Sequence, residues 1–198
     1  MNKKNIAIFA SGSGTNAQRI TEYFSNHPEI VVSMILSNKP DAYVLVRAKK
    51  LKIPSIVFDR HTFYDTSEIS RLLKKNNIDL IVLAGFLWLL PEDLIKTYSR
   101  RIINIHPALL PKYGGKGMYG STVHETVILS GDKESGISIH YVNEKYDEGN
   151  IIFQAKCEVM QNDTPDTLAH RIHQLEYKYY PEVIEKIIRG LKDEQIPD

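Results

Sequence analysis

Unbroken apolar runs of strand length alternate along this chain with stretches of helical periodicity, and no other feature constrains the fold as tightly. Asn5 to Ala10, Ile30 to Leu36 and Ile78 to Ala84 carry few polar residues on either face. Between them, a helix running through Ile20 and Phe24, a second from Tyr43 to Leu51, and Thr66 to Asn76 with Ile69, Leu72 and Leu73 place apolar residues at helical spacing. Strands that are apolar on both faces need cover on both faces. The expected class is therefore α/β, a doubly wound, mostly parallel sheet of about seven strands with helices on both sides. Pro54 to Phe58 and Arg101 to Ile105 supply two further strands. Ser135 to Val142 and Ile151 to Met160 supply the last two, facing each other across a polar loop from Asn143 to Asn150.

With 198 residues and 42% hydrophobic content the chain can bury one sizeable core, so a single domain over residues 1–198 is expected. Lys+Arg 25 against Asp+Glu 24 leaves a formal charge of +1, which gives no global basic field for nucleic acid or an anionic membrane. One cysteine, Cys157, excludes an internal disulfide and a cysteine-built zinc site, and fits a reducing compartment. No stretch approaches the ~18 apolar residues of a membrane span, and Met1 to Lys4 leads straight into a strand without a leader pattern, so a cytoplasmic protein is expected. His170 and His173 share a helix face but lack a third ligand, so no metal is expected.

Chemistry concentrates where strands end. Pro107 stops the strand that holds Asn104, which leaves an amide and the His106 imidazole two residues apart on one face. Carboxyl ends of parallel strands are where open α/β sheets bind ligands, and Pro107 and Pro111 restrict the loop between. Ser11-Gly12-Ser13-Gly14-Thr15-Asn16 turns the first strand into a helix, which suits either a phosphate at the helix N-terminus or a tight turn capped by Asn. A dinucleotide is disfavoured, because Asn16 and Ala17 replace a further glycine and the second strand ends in Ser37-Asn38 without an acid. Gly85 to Pro91 leaves the fourth strand as an apolar segment on which a flat ligand can rest, and Gly114 to Gly120 suits a movable flap. Thr122 to Glu125 has capping-box form, and Thr164-Pro165 opens a long last helix that Pro181 should kink or split. Asp193 to Asp198 should fray.

Four of these motifs, Ser11 to Asn16, Leu83 to Phe86, Asn104 to Tyr113 and Asp147 to Gly149, stand in the order of the phosphoribosylglycinamide formyltransferase family, which the chain resembles over nearly its whole length. That resemblance implies formyl transfer from 10-formyltetrahydrofolate to the amine of glycinamide ribonucleotide, giving formylglycinamide ribonucleotide and tetrahydrofolate in purine biosynthesis. By motif position it implies that Asn104, His106 and Asp147 are catalytic, and that Gly12, Ser13, Gly14, Thr15 and Asn16, with His173 and Glu176, hold the ribonucleotide. The folate is expected along His61, Leu87, Trp88, Leu89, Leu90, Asn104, Asn143, Glu144, Lys145, Tyr146 and Asp147. Trp88 and His61 depart from the pattern, replacing a polar residue and an arginine. The expected partners are small-molecule substrates, with neither nucleic acid nor membrane, and monomer and homodimer both stay open.

The chemistry of that reaction asks for donors aimed at the formyl oxygen as it turns anionic in a tetrahedral intermediate. Protonated His106 and the Asn104 amide are the expected donors, with ionised Asp147 raising the His106 pKa and helping to move the amine proton. Methionyl-tRNA formyltransferase and formyltetrahydrofolate deformylase share some of these motifs. The first needs basic surface and usually a second domain, and the second normally carries an additional N-terminal domain; neither is visible here. A nucleotide-binding module without catalysis is the non-enzyme alternative.

Overall fold

The computed structural model describes residues 3–191. The expected fraying of Asp193 to Asp198 lies outside the described residues. Seven strands form one sheet: β1 (Lys4–Phe9), β2 (Ile30–Ser37), β3 (Ser55–Val57), β4 (Ile78–Leu83), β5 (Ile102–His106), β6 (Glu134–Tyr141) and β7 (Ile151–Glu158). Their spatial order is β3-β2-β1-β4-β5-β6-β7. The first five run parallel, whereas β6 is antiparallel to both β5 and β7. The α/β expectation of a mostly parallel, doubly wound sheet holds.

Alternation along β1 shows why both faces need helices. Ile6 and Ile8 enter a core shared with α1 (Thr15–Phe24), α2 (Tyr43–Leu51), α6 (Ser121–Leu129) and α7 (Pro165–Gly190). Ala7 and Phe9 point the other way, into a core closed by α3 (Arg60–Tyr64), α4 (Glu68–Lys75) and α5 (Glu92–Thr97). All four β1 side chains are fully buried. After β3 the chain crosses back to place β4 on the other side of β1, so a crevice opens at the carboxyl ends of β1 and β4.

Three local expectations need correction, and two short helices were not foreseen. β5 ends on His106, one residue later than the apolar run suggests, because His106 is in register with Ser138 of β6. The capping box at Thr122 does not form: α6 is capped by Gly120 at φ 59° with no side-chain cap, since the glycine-rich loop feeds the helix directly. Helices α3 and α5, five and six residues long, are too short to show a period in sequence. Finally, Pro181 does not split α7, which stays one helix from Pro165 to Gly190. Pro181 is buried, and neighbours on the same helix, Tyr180, Val183 and Ile184, are held in the core. At its start, Thr164 and Thr167 form the reciprocal cap with Pro165 in the first turn.

Candidate active site

The crevice is a cleft of about 690 Å³. Its floor is built where β5, β6 and the loop of residues 142–150 meet. Strand pleat puts Asn104 and His106 on one face of β5, and antiparallel register sets His140 of β6 directly opposite Asn104. Asp147, held at φ 56°, reaches back from its loop to both. Its Oδ2 lies 3.5 Å from His106 Nδ1 and accepts the Gly115 N–H at 3.0 Å. Its Oδ1 lies 3.4 Å from the Asn104 amide nitrogen and 3.5 Å from His140 Nε2.

Hydrogen bonding fixes each ring. His106 Nε2–H donates to the Tyr113 carbonyl at 2.7 Å, which turns Nδ1 toward Asp147. The loop that follows is pinned by Ser138, whose hydroxyl donates to the Ala108 carbonyl and accepts from the Leu110 N–H and from Gln154. His140 Nδ1–H donates to the Tyr141 carbonyl at 2.8 Å. In its neutral form its Nε2 therefore accepts from the Asn104 amide at 3.2 Å.

The charge state of His106 differs from the sequence expectation. Burial pulls its pKa below the ordinary imidazole value, and the Asp147 carboxylate and the Tyr113 carbonyl restore only part. The resting ring is neutral near pH 7. Asp147 does favour the imidazolium, as expected, but burial outweighs it because the side chain is 3% exposed. For Asp147, burial raises the carboxyl, yet the contacts with His140, His106 and Gly115 together hold it below the usual carboxylate range.

The opposite end of the cleft is the glycine loop. Gly14 takes φ 73° and caps α1; its cap lacks a side-chain hydrogen bond and no acid stands in the first turn, an arrangement open to an anion. A Cβ on Gly14 would stand 2.4 Å from Val44 Cγ2, so α2 packs as close as glycine permits. Asn16 donates from Nδ2 to Glu176 at 2.9 Å, tying this loop to α7, while its buried Oδ1 has no partner. Glu176 is buried, which pushes its carboxyl up to about 7 against the opposing Asn16 bond. Tyr180, one turn further along α7, donates to the Leu83 carbonyl at 2.8 Å and holds the helix over the strand ends.

Most of the expected site residues come together in this one cleft. Gly12, Ser13, Gly14, Thr15, Asn16, Leu87, Trp88, Leu89, Leu90, Asn104, His106, Lys145, Tyr146, Asp147, His173 and Glu176 all line it. Three do not. His61 sits on α3 with its side chain 74% exposed and pairs with Asp65 at 3.0 Å, because the inward position of that short helix belongs to Phe63. Asn143 turns its amide oxygen to the Lys145 N–H within its own loop, and Glu144 is exposed. Beside His61, Arg60 lies across the rings of Tyr64 and Trp88, and Trp88 packs on Phe58, Phe63 and Phe86. Sequence reasoning missed Lys39, His124 and His140 in the cleft wall. Of these, only the pairing of β6 with β5 could have singled out His140, and no local pattern marks the other two.

Among the described residues no group of three or more histidine, cysteine or acidic side chains is arranged to hold a metal ion. No described helix is long and apolar enough to cross a membrane.

Comparison with known proteins places the cleft in context. Residues 4–184 match the formyl transferase family. The phosphoribosylglycinamide formyltransferase of Haemophilus influenzae is 39% identical over 198 residues, covering 96% of this chain and 91% of that protein. The chloroplastic phosphoribosylglycinamide formyltransferase of Arabidopsis thaliana is 40% identical over 190 residues; the match covers 92% of this chain, which spans 64% of the length of the plant protein. The crystal structure of phosphoribosylglycinamide formyltransferase from Anaplasma phagocytophilum superposes with a TM-score of 0.86 at 34% identity, over 96% of this chain and 89% of that one.

Proposed function

Because the chain belongs to the formyl transferase family, we propose that it moves a formyl group from 10-formyltetrahydrofolate to the amine of glycinamide ribonucleotide in purine biosynthesis. One observation carries this reading. Asn104 and His106 each come within 3.5 Å of an Asp147 carboxylate oxygen at one end of a cleft whose other end is a helix N-terminus without a side-chain cap. An amine to be formylated and a phosphate to be held need those two ends, in that relation.

When bound, 10-formyltetrahydrofolate supplies the carbon to be transferred. The apolar wall of Leu83, Phe86, Leu87, Trp88 and Leu90 covers a flat ring system and excludes water from the reacting end. First-turn N–H groups of α1 and the loop at residues 12–16 hold the phosphate of the acceptor. Neutral His106 then takes up the proton that the attacking amine sheds, at Nδ1 beside Asp147. Asp147 stabilises the imidazolium so formed, and the positive charge of that ring offsets the negative charge that builds on the formyl oxygen, at the end of the cleft where His140 and Asp147 orient the Asn104 amide. His106 gives the same proton to the folate nitrogen as its bond to the formyl carbon breaks, so tetrahydrofolate leaves neutral and no covalent enzyme intermediate is required.

The test is an absorbance assay of tetrahydrofolate release with glycinamide ribonucleotide as acceptor. Formyl transfer is expected, with His106→Ala and Asp147→Asn each slowing turnover roughly a hundredfold or more. Binding of the ribonucleotide without transfer, or variants within about tenfold of wild type, would overturn the assignment.

A further inference from the structure

His124 has no role in the scheme above, yet its side chain forms part of the cleft wall while remaining only 4% exposed. Its Nδ1 is sealed from solvent without a hydrogen-bond partner, so Nε2 is the ring nitrogen the cleft can reach. A sealed nitrogen keeps a lone pair far more cheaply than an N–H, because an unmade buried donor loses its hydration outright. The proton therefore resides on Nε2. Burial, with the neighbouring His173 and His106, also pushes the ring down to about 4, and protonation would add an N–H at the sealed position. His124 is thus a donor that stays neutral across the physiological range. His106 differs, since its own Nε2–H is already taken by the Tyr113 carbonyl.

Two observations choose the ligand atom. The ring shares the cleft wall with His106 at the end of β5 and with His173 and Glu176 of α7, near enough to both histidines to be influenced by them. A phosphate seated against an imidazole would favour its charged form, whereas a neutral donor matches a neutral oxygen. The phosphate already has its seat at residues 12–16. Resting on the acceptor assigned above, we propose that His124 binds the glycinamide arm of the acceptor, its Nε2–H donating to the amide carbonyl oxygen beside the attacking amine.

Steady-state kinetics on wild type, His124→Phe and His124→Gln test this, with calorimetric binding of glycinamide ribonucleotide and a thermal melt on each. Phenylalanine keeps a ring and removes the donor; glutamine returns an N–H near the position of Nε2. The Phe variant is expected to raise the acceptor KM and its Kd roughly tenfold while the folate KM and kcat stay within about twofold, and Gln is expected to restore most of the loss. Should the Phe variant not fold, His124→Leu carries the same comparison with Gln. An acceptor KM within twofold of wild type, an equal rise in the folate KM, or Gln no better than Phe overturns the proposal. Wild type without formyl transfer would instead sink the functional assignment, so the two failures are read separately.

Discussion

His140 Nε2 stands 3.2 Å from the amide nitrogen of Asn104, across an antiparallel pair in which the two residues are directly opposed. This contact orients the amide that the proposed reaction needs at the reacting end of the cleft, and the Tyr141 carbonyl in turn fixes the His140 ring. On that proposal His140 acts as a positioning residue. Replacing it with leucine is expected to lower kcat roughly tenfold to a hundredfold with little change in either KM, because small misplacements of a catalytic group are costly. Unchanged kcat in a folded His140→Leu enzyme would show that Asn104 orients itself.

Glu176 makes stability depend on pH in a defined direction. Burial raises its folded pKa to about 7, above its unfolded value. Its contribution is therefore fully present below the unfolded pKa and is lost as pH rises through about 7. Glu176→Gln lacks this loss. The variant should gain on wild type between pH 5 and pH 8 by up to roughly 3 kcal/mol, read as the difference in denaturant midpoints at the two pH values. A difference that does not change with pH would mean that Glu176 is hydrated in solution.

Gly14 is a position in the cleft wall where a side chain has no room. At φ 73°, with Val44 Cγ2 2.4 Å and Val44 Cα 2.8 Å from a would-be Cβ, Gly14→Ala must both strain the turn and push α2 away. Destabilisation of roughly 2–4 kcal/mol is expected in equilibrium unfolding. Because the displaced turn carries the first-turn N–H groups of α1, affinity for the phosphate-bearing substrate should fall as well. A cost below about 1 kcal/mol would show that the α1–α2 contact yields.

How much of this was legible depends on the range of the signal. The apolar runs at Ile6 to Phe9 and Ile78 to Leu83 announce parallel strands directly, since burial on both faces leaves a local trace in composition. Asn104, His106 and Asp147 were legible through motif order, and they do meet. His61 misled because a five-residue helix rotates each side chain by its own short period, which turned Phe63 inward and His61 out. His140 and His124 carry no local mark: one faces its partner on β5, the other lies in a cleft wall assembled from segments far apart in the chain.

The sequence by itself determined the layers, the strand ends at which chemistry gathers and the residues that gather there, because side-chain period, glycine and proline act over a few residues. Only the tertiary structure decided the charge on His106. Its expected imidazolium gives way to a neutral ring once β6 and the loop after β5 close over it, and desolvation of a charge is set by everything packed around the group, wherever in the chain it comes from.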